Sequence, residues 1–447
     1  MSSDNHNIEL ARKQMADLCL RSTDNELRRN YPGNLGRNYR RLLAHLSIKK
    51  PPKNKLPYAN KLRVQLLKRN RNLERIGILL AAMLYHRAYD LGFLPDLRKI
   101  PAWFLNDYLI YISNPALLFR DYGETDRYCL HKKKWVTDLH TSITSNENSD
   151  YWQKIAEKFI EISDFGSLYF NHNNLRGLYK LRGEIIEHAL RTRGSLLDYS
   201  FTMGSTDNRK IRLGILANHF TPHPETFATL PVYEHLSSRF ATILYTFNRT
   251  YSELERYCVG RAQEIKKLPD SLVDQVDLIR KDNLDILFVA TNITAVANSV
   301  CLLAAHRLAR KQVAGVSSVT TTGLSNIDYY LTGRLNDGEE HMSHYTELLL
   351  WLSGTAHCFS YGNQCPDNPP SISRAALGIN DASVIYASGA NVFKISPELV
   401  HAWGRILASI DSSVIMLYPY GPNWSTNYPK QIFIDYLHDT FAKHKVS

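Results

Sequence analysis

The chain has 447 residues, enough for two or three domains with their own cores. Its 44% hydrophobic content is that of an ordinary globular protein. No stretch reaches the roughly 20 apolar residues of a spanning helix, and the polar opening MSSDNHNIEL has no signal-peptide core, so a cytoplasmic location is expected.

In chain order, residues 8 to about 205 read as helical. The net charge of +11 is concentrated early: Arg28, Arg29, Arg37, Arg40, Arg41, Lys49, Lys50, Lys53, Lys55, Lys61, Arg63, Lys68, Arg69 and Arg71 are opposed only by Asp24, Glu26 and Glu74 from residue 21 to 75. Such a run reads as a solvated basic helical face, or as a track for an acidic partner, a nucleic acid or an anionic surface. No nucleic-acid motif accompanies it, and Tyr31, Tyr39 and Tyr58 are not spaced as a stacking platform. The Pro- and Lys-rich segment 48–58 predicts a linker. Leu62, Leu66, Leu67, Leu73, Ile76 and Leu80 fall on one helical stripe, with further helices at 154–163 and 174–191. The short apolar run 76–84 sits among charges. No 34-residue repeat is present. The cysteines at 19, 129, 258, 301, 358 and 365 form no CxxC pair and no zinc spacing, so free, mostly buried thiols are expected.

From about residue 206 the texture becomes α/β. Strands are predicted at 211–217, 241–247, 285–290, 313–316 and 327–331, with helices at 252–265, 272–282, 295–310 and 341–352 between and after them. This alternation implies a parallel sheet covered on both faces, whose ligands gather at the carboxyl ends of the strands. A second βαβ unit begins near 383, with strands at 384–386 and 414–417, a helix at 397–410 opened by Ser396 and Pro397, and a last helix at about 428–443. The domains read as an all-helical 1–205, a first α/β half 206–375 and an incomplete second half 376–447.

Four constellations carry or exclude chemistry. His219 and His223 stand four apart in GILANHFTPHP after a buried strand, where a histidine can serve as a general base or hold a phosphate, although a loop histidine is more often a bystander. The stretch GVSSVTTTGLSNIDYYLTG is rich in small and hydroxyl residues and either lets backbone amides approach a ligand or is a plain loop. In SGANVFKISPELVHAW, Gly389 and Asn391 follow a strand, and Lys394 precedes a helix N-terminus. A cation there gains nothing from the helix dipole unless an anion such as a diphosphate is shared between them. In HMSHYTELLLWLSG the stripe Tyr345, Leu348, Leu349 and Leu352 reads as the core face of a helix, with no chemistry.

Together and in order, these segments resemble the catalytic region of the O-GlcNAc transferase (SPINDLY) family over 211–447. They are similar also to the related bacterial cytoplasmic N-glycosyltransferases that modify adhesins. RLGILANHFTPHP looks like the first strand and histidine loop, VAGVSSVTTTGLSNIDYYLTG like the Gly-rich stretch, HYTELLLWLSG like the helix after it, and LGINDASVIYASGANVFKISPELVHAWGRIL like the strand, Asn, Lys and helix in register. PAWFLNDYLIYISNPALLFRDYG resembles the helical domain of the adhesin enzymes. Thr320-Thr321-Thr322 departs from the Pro-Gly-Thr that the resemblance places there.

The resemblance implies a GT-B-like fold of two Rossmann-like halves, a UDP-glucose or UDP-GlcNAc donor, no metal, and inverting transfer to Asn, Ser or Thr of an acceptor protein. It implies His223 as the active-site histidine with His219 beside it, Lys394 as the diphosphate lysine, Asn391 at the nucleotide, and Gly389 in the same turn. It also implies a further His- and Gly-rich part beyond the lysine helix that holds much of the donor site, so the second half reads as incomplete. The competing readings are an inactive relative that binds protein partners and, on charge alone, a nucleic-acid binder.

Overall fold

Helices occupy the chain up to Thr192 in the computed structural model, which describes residues 2–48, 56–69, 73–116, 118–202, 209–364, 372–418 and 430–446. The chain divides into two compact units, Met1–Trp135 with Ser371–Ser447, and Val136–Pro370. This division cuts across the predicted segments 1–205, 206–375 and 376–447, because each unit takes helices from the first of them.

The first unit opens with α1 (Ser2–Arg21), α2 (Asp24–Asn30), α3 (Gly36–Ile48), α4 (Leu56–Arg69), α5 (Ile76–Met83), α6 (Ala88–Leu91) and α7 (Ala102–Ser113), and takes in the start of α8 (Glu124–Thr144). Thr23 starts α2 with a capping box: its hydroxyl accepts the Glu26 amide at 3.3 Å, and the Glu26 carboxylate accepts the Thr23 amide at 2.8 Å. The predicted leucine stripe is buried at Leu62, Leu66, Leu73, Ile76 and Leu80, but it is divided between α4, α5 and Leu73, which lies between them. Leu73 takes φ +54°, a left-handed conformation that no α-helix continues through. The apolar run from residue 76 is α5, buried nearly all round against α1 and α4. No helix among the described residues is long and apolar enough to cross a membrane.

Arg28, Arg29, Arg37, Arg40, Arg41, Lys61, Arg63 and Lys68 are exposed, and Arg40 reaches Asp107 at 2.9 Å. They form the solvated basic face. Lys49, Lys50, Lys53, Lys55 and Arg71 lie outside the described residues. Cys19, Cys129, Cys258 and Cys301 are free and buried, and Cys358 is free and exposed. Cys365 lies outside the described residues.

The same unit holds a βαβ element: β8 (Val384–Ser388), α15 (Pro397–Ser409), β9 (Ser413–Leu417), then α16 (Lys430–Lys443). The two strands pair in parallel from Val384 opposite Ser413 to Ser388 opposite Leu417. Val392, Ile395, Val400, Phe433 and Tyr436 form its core, and Leu118 joins them. Buried Glu124 fixes the segment before α8. It pairs with Arg87 at 2.8 Å and accepts the amides of Arg120 at 2.7 Å and Asp121 at 3.1 Å.

The second unit contains α9 (Asp150–Ile162), α10 (Arg176–Thr192) and a seven-stranded sheet. In chain order it is β1 (Ile211–Ala217), α11 (Pro224–Thr229), β2 (Phe240–Thr246), α12 (Glu253–Gly260), β3 (Glu264–Lys267), α13 (Leu272–Lys281), β4 (Leu284–Val289), α14 (Ser299–Ala304), β5 (Ala309–Ala314), β6 (Tyr329–Gly333) and β7 (Leu348–Leu352). Every pairing is parallel, in the order β3-β2-β1-β4-β5-β6-β7. Its core gathers Leu213, Ile215, Phe220, Leu230, Leu244 and Phe288. Helical region and parallel α/β sheet thus agree with the predicted class.

Three predicted elements differ. The helix expected over 341–352 is a 3-10 turn, Glu339–His344, followed by the edge strand β7. Leu349 is buried while Leu348, Leu350 and Leu352 are exposed, the two-residue period of a strand. The expected core stripe of Leu348, Leu349 and Leu352 therefore does not exist, since pairing with β6 decides the state of a short apolar run. The helix expected over 252–265 stops at Gly260, and the polar edge strand β3 follows, specified only by its pairing with β2. The helix expected over 295–310 is shortened to α14, which Asn298 caps by accepting the Cys301 amide at 2.9 Å.

Candidate functional site

The strand order reverses between β1 and β4. From β1 the chain winds outward to β2 and β3, and from β4 to β5, β6 and β7. In open α/β sheets this switch point is where loops diverge and ligands bind. The loop after β1 carries His219 and His223. His223 is the N-cap of α11, with Pro224 at the first helical position. Its Nδ1 accepts the Glu225 amide at 3.3 Å, so its ring proton in the neutral form sits on Nε2. His219 Nδ1 lies 2.9 Å from the Thr221 hydroxyl. The two rings stand edge to face with centroids 5.1 Å apart.

Glu225 turns toward the loop after β4. Its Oε1 accepts the Asn292 amide at 2.9 Å, and its Oε2 is 4.0 Å from His223 Nδ1. The Asn218 amide donates to Thr291 Oγ1 at 3.0 Å, a second stitch between the loops. Burial lowers the pKa of both histidines. For His219 the charge of His223 adds to this, and Glu225 opposes it. Burial raises Glu225, against the pull of the Asn292 amide and of His219. Both shifts favour the neutral imidazole, the form a general base requires.

The loop after β4 is braced from behind. Asn292 Oδ1 accepts the amides of Thr294 at 2.8 Å and Ala295 at 3.2 Å. Tyr179 donates to the Thr294 carbonyl at 3.0 Å, and Arg182 to the Ile293 carbonyl at 3.1 Å. Arg182 is wholly buried, and among the described residues it meets no carboxylate. It lies over the rings of Phe165 at 5.3 Å and Tyr179 at 5.8 Å. The small-residue stretch after β5 turns inward. Buried Glu347 accepts the Thr321 hydroxyl and the Thr322 amide, each at 2.7 Å, and Gly323 packs on α10. Its Thr hydroxyls and glycine thus serve packing, which favours the plain-loop reading of these positions.

Gly389, Asn391 and Lys394 follow the carboxyl end of β8 in the first unit, at the other expected position. The turn Val392–Lys394 is anchored by buried Val392 and Ile395 and leaves Lys394 exposed. The Lys394 amide donates to the Asn391 carbonyl at 2.7 Å. Ser396 then caps α15, its hydroxyl accepting the Leu399 amide at 3.3 Å. A Cβ at Gly389 would meet nothing within 4 Å, so the backbone there is open to approach. The βαβ turn therefore gathers these three residues, and the β1 loop gathers the two histidines in the second unit.

No family model matches the chain. Curated relatives do. The chain is 26% identical over 217 residues to the probable UDP-N-acetylglucosamine–peptide N-acetylglucosaminyltransferase SPINDLY of Arabidopsis thaliana, covering 47% of this chain and 23% of that protein. It is 31% identical over 140 residues to the SPINDLY protein of Eustoma exaltatum subsp. russellianum, covering 31% and 14%. It is 22% identical over 229 residues to the probable transferase SEC of Arabidopsis thaliana, covering 47% and 22%. Over these segments the chain is similar to proteins of the O-GlcNAc transferase (SPINDLY) family. It spans less than a quarter of the length of these curated relatives. Among solved structures, a variant O-GlcNAc transferase from Thermobaculum terrenum aligns with a TM-score of 0.48 and 18% identity, over 90% of this chain and 72% of that one.

The relationship to SPINDLY leaves Glu225, Asn292 and Arg182 to the structure, since none was singled out from sequence. Glu225 reads along the chain as an ordinary acidic first-turn residue. Only the pairing of β1 with β4 carries Asn292 to it, across 67 positions.

Proposed function

We propose that this chain is a protein glycosyltransferase, moving a hexose or N-acetylhexosamine from a UDP-sugar to Asn or Ser/Thr side chains in the cytoplasm, with inversion and no metal. The observation that carries the reading is the pair of histidines at the switch point of a doubly wound sheet, in a chain similar over part of its length to SPINDLY proteins. An inverting transfer needs a group that accepts the proton of the incoming nucleophile, and a neutral imidazole is suited to that.

It also needs positive charge where the UDP leaves. Lys394 and the amides at the start of α15 are the groups proposed to hold the diphosphate, and Asn391 and Gly389 to line the nucleotide side of that turn. UDP-GlcNAc is the donor named for the curated relatives. The similarity of 101–123 to the adhesin enzymes favours Asn and a plain hexose instead.

The deciding experiment is calorimetric titration of this chain with UDP, with Lys394→Ala as the control. Saturable binding that the substitution abolishes supports the assignment. Absence of binding by the unaltered chain overturns it and favours the second reading, a protein-binding module that uses the exposed basic face of α2–α4.

A further inference from the structure

Arg182 of α10 is wholly buried, and its Nε and Nη1 have no hydrogen-bond partner among the described residues. Nη2 donates to the Ile293 carbonyl at 3.1 Å and stands 4.0 Å from Cys301 Sγ. The rings of Phe165 and Tyr179 lie under the guanidinium and offset part of its desolvation. A buried cation with one hydrogen-bonded nitrogen and no anion is still costly, and an apolar side chain of similar length would fill the same space at less cost. Packing therefore does not account for an arginine here. What an apolar side chain could not supply is the hydrogen bond to Ile293.

That hydrogen bond lies next to the histidine site. Ile293 follows Asn292, and three elements hold these two residues. From α11, Glu225 Oε1 accepts the Asn292 amide at 2.9 Å. From the start of α14, the Asn298 side chain donates to the Asn292 carbonyl at 2.8 Å. From α10, Arg182 donates to the Ile293 carbonyl. The Glu225 amide in turn donates to His223 Nδ1 at 3.3 Å. An unbroken series of contacts thus runs from the guanidinium through Ile293, Asn292 and Glu225 to the His223 ring. Tyr179 and the Phe165 amide hold the next two carbonyls, of Thr294 at 3.0 Å and Ala295 at 2.7 Å.

We propose that Arg182 is a positioning residue of the histidine site. Through the Ile293 carbonyl it fixes the direction of the Asn292 amide, and so the place of Glu225 and of the His223 ring that caps the same turn. Its effect on turnover rests on the glycosyl-transfer reading, whereas its effect on the loop does not. A small displacement of a reacting group lowers the rate of the chemical step more than it weakens substrate binding.

The test uses the full chain with two substitutions. Arg182→Met keeps the length and the apolar contact with Phe165 and Tyr179 but has no donor, and Arg182→Lys keeps a cationic donor without the fork of the guanidinium. Exchange of the Asn292 amide hydrogen is followed by NMR, with the amide of Leu244 in β2 as internal reference. Arg182→Met should accelerate exchange at Asn292 by about tenfold or more and leave Leu244 unmoved, with Arg182→Lys between the two. In transfer assays kcat should fall by about tenfold or more in Arg182→Met with the UDP-sugar KM within about twofold, and Arg182→Lys should recover part of it. Unchanged exchange at Asn292 in a folded Arg182→Met protein overturns the proposal. So does equal acceleration at Asn292 and Leu244, which marks a general loss of stability, and so does full kcat in a chain whose Asn292 exchange is accelerated. Should Arg182→Met not fold, Arg182→Lys carries the test: faster exchange confined to Asn292 supports the role, and exchange equal to that of the unaltered chain overturns it. Accelerated exchange at Asn292 in a protein whose unaltered form transfers no sugar supports the hold of Arg182 on the loop and counts against the transferase reading alone.

Discussion

Gly183 of α10 lies against the carbonyl oxygen of Gly323, so closely that a Cβ at position 183 would stand 2.0 Å from it. The contact is reciprocal: a Cβ at Gly323, whose φ is +71°, would stand 2.0 Å from the Tyr179 carbonyl oxygen. Backbone meets backbone here, so no side chain can swing away. Gly183→Ala should cost about 3 kcal/mol by overpacking, displacing α10 from the stretch after β5 and from the loop that Tyr179 and Arg182 brace. Urea denaturation measures it, and a midpoint equal to that of the unaltered chain would show that the helix shifts freely.

Lys394 is exposed and follows a turn whose apolar anchors, Val392 and Ile395, carry the packing. Lys394→Ala should therefore leave stability within about 0.5 kcal/mol while abolishing UDP binding and sugar transfer. Turnover like that of the unaltered chain would remove the diphosphate role from this residue.

The contrast between Lys394 and Glu225 marks how much could be read along the chain. The place of Lys394 in the fold was legible because its signals are local: a strand, a turn, a Ser-Pro helix start. The position of His219 and His223 in a loop after a strand was legible for the same reason, since they follow a mostly apolar run. The parallel sheet was equally plain, because β1, β2 and β4 are mostly apolar runs that alternate with helical patterns. Strands β3 and β7 were not, since EIKK and LLLWL owe their state to the neighbours they pair with. Glu225 belonged to the hidden class too. Its meaning lies in the amide of Asn292, and no spacing rule links a helix's first turn to a loop beyond three further strands.

His223 has two separable duties. As N-cap it accepts the Glu225 amide, and losing that bond in His223→Ala should cost about 1 kcal/mol. Turnover should fall further than stability explains, by about 10²-fold if the ring also contacts the reacting groups. His223→Asn separates the two, because a short amide restores the cap without restoring an imidazole. Recovery of stability with turnover still low is the expected pattern. Activity within about twofold of normal in either variant would confine His223 to capping.

His131 on α8 offers a pH dependence whose sign is fixed by burial. Its Nε2 meets the Ile112 carbonyl at 3.2 Å. Burial pushes the imidazole from 6.5 down to about 4, with the charges of Lys132 and Lys134 acting in the same direction and the carbonyl opposing them. The unfolded chain binds this proton at pH 6.5, while the folded chain refuses it until about pH 4. Unfolding therefore takes up a proton within that window, and the stability present above pH 6.5 is lost progressively as pH falls toward 4. The loss attributable to this one ring is about 3 kcal/mol, at about 1.4 kcal/mol per pH unit. His131→Gln keeps a donor for Ile112 but cannot titrate. Denaturation curves collected between pH 7 and pH 4.5 should diverge, with the unaltered chain losing stability faster than the variant. Parallel curves across that range would mean that the ring is protonated in the folded state as easily as in the unfolded one.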